Sequence, residues 1–352
     1  MKKVLLISNM YPSNKYPYYG IFVHRAEDSL SHKNIQVSRV VLNEPSSSFK
    51  KKIFNYIIFY VKIIYVCLFK KNDFIYAHYI SHCALPILIA ILFKPKLKIV
   101  THVHGGDIKY HKGRKKFFFK LKSTLSKMIL VKSNSVISPS LYYKELLIKK
   151  YNVSQNKIII YPSGGVDLSK FSFSPRLGKP LKLGFAGRLV ESKNVSIIID
   201  VIKQTNNENI TCEIVGYGPM KDELMEKVSN LNLCNNFTFL APKSTSELAL
   251  WYKNIDILIY PSEAESLGLV PLEAMASGTI VVLSKIPAFE EYINNSKNGF
   301  LCSDINEYVD VINMLMTFSN KQLNQIRYSA LETVKNNYCS NKVSERLYES
   351  FR

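Results

Sequence analysis

The sequence predicts an α/β protein of two doubly wound domains, and three observations carry that prediction. The chain has 352 residues, and a domain takes roughly 100–200. Short runs rich in Val, Ile and Leu alternate with helix-length stretches, the pattern of a parallel sheet covered on both faces. The alternation breaks once, at residues 162–180, where Ser163-Gly164-Gly165 and three prolines mark a linker. It then restarts.

In the first half, strands are expected at 4–8, 37–42, 74–78, 97–102, 135–138 and 157–161. Helices are expected at 21–31, 84–93, 115–130 and 141–150. In the second half, strands fall at 181–186, 210–215, 236–240, 255–260 and 279–283, with helices at 195–203, 221–230 and 271–277. No fixed-period repeat is present. This places one domain over 1–165 and another over 166–340. In open sheets of this kind ligands bind beyond the carboxyl ends of the strands, so the site is expected between the domains, on loops that follow strands.

Composition excludes several classes. Hydrophobic residues make up 47% and charged residues 21%, which excludes a disordered or collagen-like chain. Cys67, Cys83, Cys212, Cys234, Cys302 and Cys339 lie too far apart for a zinc ribbon or a redox pair, and a reducing compartment fits. The opening Met1–Asn9 has too short an apolar run for a signal peptide and is expected to be a buried strand. The apolar stretch 53–69 holds 17 residues interrupted by Asn55 and Lys62, short of the ~20 that a bilayer span needs. It and 84–93 are expected to be buried or interfacial helices, with no transmembrane segment.

The formal charge of +20 is unevenly placed. Residues 1–165 hold 28 Lys+Arg against 6 Asp+Glu, and residues 166–352 hold 19 against 21. A basic half suggests an anionic partner surface, nucleic acid or lipid headgroups. One basic cluster is Lys50-Lys51-Lys52 with Lys70-Lys71. The other runs from Lys109 to Lys132, where Phe118, Leu121, Leu125 and Met128 recur at helical spacing. An apolar stripe among lysines is the pattern of a helix on anionic lipid. A core helix with a basic outer face has the same pattern.

Four segments carry chemistry. Pro261–Gly278 follows a strand and opens a helix, so the amides near Gly268, Leu269 and Val270 are the unpaired donors that attract phosphate oxygens. Glu273, one turn in, can accept from both hydroxyls of a ribose. Glu265 precedes the helix and can touch a second polar group. Gly187-Arg188-Leu189 with Lys193 sets two cations at another strand end, where a departing pyrophosphate would shed charge. In Thr101–Asp107, His104 is expected to face the ligand, with Gly105 and Gly106 allowing close approach. His102 and His104 could suggest a metal, but no third ligand is close in sequence. Gly20, which closes the loop after the first strand, could approach a phosphate or sugar. Val215–Pro219 has the wrong continuation for a dinucleotide fingerprint.

Together these residues resemble a retaining glycosyltransferase of family 4, with the GT-B architecture of two Rossmann-like domains facing across a cleft. Glu265 to Glu273 matches the family's pair of glutamates with seven residues between them, followed by Ala274-Met275-Ala276. Gly187-Arg188-Leu189 with Lys193 matches its phosphate element, and His104-Gly105-Gly106-Asp107 its acceptor-side histidine motif. Pro162–Asp167 with Phe171, and Gly216-Tyr217-Gly218-Pro219, match two further segments. Ser266-Leu267 stand where Gly-Phe is commoner, and Asn194 and Ala241 where Gly is.

The resemblance implies that Glu273 binds the donor ribose and Glu265 contacts the donor sugar. Arg188 and Lys193 hold the pyrophosphate with the Leu269 and Val270 amides. His104 approaches the transferred sugar, Gly20 lies near the phosphates, and Lys243, in Ala241-Pro242-Lys243, borders the nucleobase. It also implies a last helix, within 341–352, that crosses back to the first domain. The implied reaction moves a hexose or N-acetylhexosamine from a nucleotide diphosphate sugar to a glycan or polyprenol-linked acceptor, in making a capsule, exopolysaccharide or O-antigen. No metal or other cofactor is expected, and no nucleic acid. The expected place is cytoplasmic, on the inner face of a bacterial membrane through the basic domain. A sugar-nucleotide epimerase, a sugar-phosphate or sucrose-type synthase, and a basic nucleic-acid-binding protein remain as alternatives.

Overall fold

The computed structural model describes residues 1–17, 19–31, 35–46, 48–108, 116–175, 178 and 181–352, with the side chains of 116–119 excepted. The chain divides into two compact units. One is Met1–Gly164 with Asn341–Arg352, and the other is Gly165–Ser340. Among the described residues each carries a six-stranded parallel sheet.

In the first unit the strands are β1 (Lys2–Ser8), β2 (Ile35–Val41), β3 (Phe74–His78), β4 (Ile99–His102), β5 (Ser135–Ser138) and β6 (Ile158–Ile160), in the order β2-β1-β3-β4-β5-β6. Every residue of β3 and β4 is buried. Continuous apolar strands of this kind belong in a sheet covered on both faces. The cover comes from α1 (Ile21–Ser31), α2 (Phe49–Phe69), α3 (Ile80–Phe93), the single turn α4 (Gly105–Ile108), α5 (Lys116–Lys132) and α6 (Leu141–Tyr151).

The second unit has β7 (Lys182–Ala186), β8 (Thr211–Val215), β9 (Phe237–Leu240), β10 (Ile257–Tyr260), β11 (Ile280–Ser284) and β12 (Phe300–Cys302), ordered β12-β11-β10-β7-β8-β9. Its helices are α7 (Ser196–Thr205), α8 (Lys221–Asn230), α9 (Thr245–Tyr252), α10 (Leu269–Ser277), the turn α11 (Pro287–Glu290), α12 (Ile305–Thr317) and α13 (Asn320–Asn337). The last helix, α14 (Ser340–Glu349), lays Val343 and Leu347, with Phe351 beyond it, into the first unit's core beside Tyr76 and Phe74.

Three sequence expectations change. The stretch 162–180 is not a plain linker: Val166 and Phe171 are buried in the second core, and Val166 N donates to the Tyr338 carbonyl. Residues 176, 177, 179 and 180 of that stretch lie outside the described residues. The stretch 53–69 extends to the 21-residue α2, long and apolar enough to cross a membrane by length and composition. Only Phe59, Ile63 and Cys67 of α2 are buried. The apolar stripe expected in 115–130 splits, with Leu125 packing inward while Leu121 and Met128 stay exposed. Lys109, Lys112, Arg114 and Lys115 of that basic cluster lie outside the described residues.

Candidate functional site

In the second sheet the winding reverses between β7 and β10, which are hydrogen-bonded neighbours. Loops that leave such a reversal point part to opposite faces and form a ligand crevice at the strands' carboxyl ends. The loops leaving there are 187–194 and 261–268, the two segments singled out in this half.

Each loop is tightly tied. Gly187 N donates to the Val215 carbonyl and Leu189 N to the Tyr217 carbonyl, at 2.9 and 2.8 Å. The pairing brings backbone against backbone. A Cβ on Gly216 would lie 1.9 Å from the Gly187 oxygen, and one on Gly218 2.1 Å from the Leu189 oxygen. The two glycines of the Val215–Pro219 turn therefore serve to seat the Arg188 loop. Asn194, where the family commonly has Gly, takes a left-handed conformation with φ 52°, which Asn tolerates better than most residues. Ser192 joins the loops, its carbonyl accepting from Glu263 N at 3.0 Å.

Lys193 reaches across this junction. Its ammonium is ion-paired to Glu265 Oε1 and donates to the Tyr260 hydroxyl at 2.9 Å. An ammonium has three donors, so two protein acceptors fix its place and one donor stays available to a ligand. Burial, then the Glu265 charge, pushes the Tyr260 phenol well above its ordinary value, so it stays neutral. Arg188 is exposed at the start of the same loop. Gly268 precedes α10 with φ 89°, and no side chain caps the helix start. The Leu269 and Val270 amides are thus among the donors that the helix itself does not use. A Cβ on Gly268 would meet the Phe289 ring at 2.6 Å. Glu273, one turn further, is buried, with Oε2 3.4 Å from the Tyr252 hydroxyl.

Arg188, Lys193, Glu265, Gly268, Leu269, Val270 and Glu273 thus come together on two adjacent loops and one helix turn. Lys243 stands apart. It lies between β9, an edge strand, and the capping box of α9 formed by Ser244 and Glu247. That is two strand spacings from β7, about 10 Å.

In the first unit, Gly20 has φ 75°, and a Cβ there would lie 2.6 Å from the Met10 carbonyl carbon. Glycine is required by the loop's own closure, whatever else it serves. Gly105 opens α4, and His104 N donates to Asp107 Oδ1 at 2.9 Å. The His104 ring packs against Phe22 at 4.5 Å and Tyr79 at 5.1 Å between centroids. Tyr79 holds φ 50°, rare for a bulky residue and of a kind that clusters at functional sites.

His104 is part of a set that the spacing in sequence did not reveal. β3 and β4 pair with His78 opposite His102. His78 Nδ1 and His104 Nε2 are 3.1 Å apart, and the Tyr76 hydroxyl is 2.8 Å from His102 Nδ1. No third ligand is close in sequence to His102 and His104, but strand pairing brings His78 in from the neighbouring strand. One ring nitrogen from each lies within 4.8 Å of the others, so the three could hold a metal ion. Burial drives all three imidazoles toward the neutral form, with His104 lowered to about 3. A neutral imidazole can accept a proton or a hydrogen bond from a hydroxyl, or bind a metal. It brings no fixed positive charge.

The profile of the Glycosyl transferases group 1 matches residues 169–332, and that of Glycosyltransferase Family 4 matches residues 20–170. The chain belongs to the group 1 glycosyltransferases. The O-antigen chain mannosyltransferase RfbU of Salmonella typhimurium is 32% identical over 172 residues, covering 49% of this chain and 48% of RfbU. The match therefore spans about half the length of that relative. The uncharacterized glycosyltransferase MJ1178 of Methanocaldococcus jannaschii is 25% identical over 326 residues, 86% of each chain. Among solved structures, Anabaena Alr3699/HepE in complex with UDP has a TM-score of 0.76 and covers 99% of both chains at 19% identity. It shares the GT-B fold with this glycosyltransferase chain.

Proposed function

We propose that the chain moves a hexose or N-acetylhexosamine from a nucleotide diphosphate sugar to a hydroxyl of a lipid-linked glycan, with retention, in cell-surface polysaccharide synthesis at the inner face of a bacterial membrane. One observation carries the donor half of this reading: Arg188, Lys193, the open start of α10 and the buried Glu273 meet where the winding of the second sheet reverses. Two cations and a set of helix amides suit a diphosphate. A carboxylate one turn into the helix suits the paired hydroxyls of a ribose. The UDP named in the Anabaena structure supports a nucleotide ligand, and the O-antigen chain named for RfbU supports the polysaccharide setting.

In the proposed reaction the bond from the sugar's anomeric carbon to the phosphate oxygen breaks, and its electron pair goes to that oxygen. The acceptor oxygen bonds to the same carbon on the same face, and its proton passes to the departing phosphate. Arg188, Lys193 and the Leu269 and Val270 amides offset the charge that grows on the diphosphate, where fixed donors act most strongly. No metal is then required. Glu265 positions Lys193 through their ion pair and faces the sugar. His104, neutral, takes a hydrogen bond from the transferred sugar. Gly20 and Lys243 border the phosphates and the base.

The test is product analysis with radiolabelled nucleotide sugars and a polyprenol-linked glycan, run with a chelator present. Glycan lengthening with a retained anomeric centre is expected. Release of free sugar alone, formation of a sugar phosphate, or dependence on added metal would contradict the reading.

A further inference from the structure

We propose that α2 is an in-plane membrane-binding helix whose outer face sinks into an anionic bilayer. This rests on, and sharpens, the peripheral-membrane part of the reading above. The helix is apolar on two sides. Phe59, Ile63 and Cys67 face inward and pack in the core that also holds Ile75 and Cys83. On the other side Phe54, Ile57, Val61, Tyr65 and Phe69 recur at three- and four-residue intervals, and each is more than half exposed. The stripe runs along a helix of 21 residues, about 30 Å long. A row of large exposed apolar side chains of that length marks an interaction surface.

The charges around it name the occupant. Lys50, Lys51 and Lys52 lie in its first turn, Lys62 midway, and Lys70 and Lys71 just past its end. From residue 45 to residue 72 the sequence has no Asp or Glu. The next acid, Asp73, is bound to the Lys3 amide at 2.7 Å. Glu44 lines a pocket beside Lys51 and Lys62, but lysines predominate, and apolar side chains beneath a mainly cationic border fit acyl chains under anionic headgroups, with the lysines reaching back to the phosphates. A second copy of this chain would set lysine against lysine across a two-fold contact. A crossing orientation would pull Phe59, Ile63 and Cys67 out of the core they complete.

The experiment is flotation with vesicles of phosphatidylglycerol and phosphatidylethanolamine, against vesicles of phosphatidylcholine alone. The full chain is compared with the triple variant Phe54→Ser, Ile57→Ser, Val61→Ser. The wild type floats with the anionic vesicles, and the triple variant loses about tenfold or more of that partitioning. Its melting curve is unchanged, because these side chains already face solvent. A separate Val61→Trp variant shifts its emission to the blue on the same vesicles. Three results would each overturn the proposal: a wild type that does not float, a triple variant that floats equally well, or a concentration-dependent dimer in ultracentrifugation that the triple variant abolishes. Nucleotide-sugar binding is measured on the same samples. Its absence from the wild type would remove the transferase reading and leave the vesicle result standing.

Discussion

The loops after β7 and β10 and the histidine stack on β3 and β4 both lie at the carboxyl ends of parallel strands, the first at its sheet's reversal point and the second one strand beyond its own, and their electrostatics differ. The first set gathers fixed charge: Lys193 paired to Glu265, Arg188 exposed beside them, Glu273 buried one helix turn in. The second gathers three imidazoles that burial keeps neutral. Topology supplies a ligand edge in both. In the proposed reading, side-chain chemistry assigns the diphosphate to the first and an uncharged sugar or hydroxyl to the second.

The largest effect should come from the charged set. Arg188→Ala is expected to lower kcat/KM by about 100- to 1000-fold, the scale of losing a donor to developing charge. The side chain is exposed, so the melting temperature stays put. Steady-state kinetics beside a thermal melt checks both halves, and an active variant would erase the contrast between the two regions. Glu273→Ala is expected to cost about 10- to 100-fold, chiefly in KM for the donor, from lost charged hydrogen bonds.

Gly216→Ala sharpens the comparison from the folding side. Its Cβ would fall 1.9 Å from the Gly187 oxygen, and backbone must move. A loss of about 1–3 kcal/mol is expected in urea unfolding, with weaker donor binding because the Arg188 loop shifts.

The histidine stack should show itself in pH. Above about 6.5 an imidazole is neutral folded and unfolded alike, and contributes no pH dependence. As the pH falls below that value the unfolded chain takes up protons that the buried rings refuse. Stability therefore drops on acidification, by at most about 1.4 kcal/mol per pH unit per histidine. For His104 the drop continues toward its lowered value of about 3. Urea midpoints between pH 7 and 5 check this, and His104→Ala should flatten the slope. The smallest effect belongs to the surface: breaking the exposed Glu145–Lys149 pair with Glu145→Ala should change neither activity nor stability measurably.

Much of this was legible in the sequence because the relevant residues are local. The α10 start with Glu273, and the Arg188 loop, read directly from short segments after apolar strands. The histidine stack did not, since it joins His78 to His102 through strand register across 23 intervening positions. A histidine ending each of two neighbouring buried strands was the available signal. The Gly216 and Gly218 pair resisted reading for the same reason, because its partner is the backbone of another loop. β12 has three residues, too few for a clear pattern, and α9 has weak periodicity, whereas α12 and α13 carry legible stripes, Tyr308, Ile312 and Leu315 in one and Leu323, Ile326, Ala330 and Val334 in the other. The outer face of α2 was concealed by composition alone, because an apolar helix reads the same whether one side or both are covered.

The most direct test of the central claim is a thermal-shift series with UDP-, GDP-, ADP- and dTDP-sugars on the wild type, Arg188→Ala and Glu273→Ala. A ligand that binds the folded state raises its apparent stability. One nucleotide series is expected to raise the wild-type melting temperature and to lose that effect in both variants. Equal shifts in all three proteins, or none in the wild type, would contradict the account.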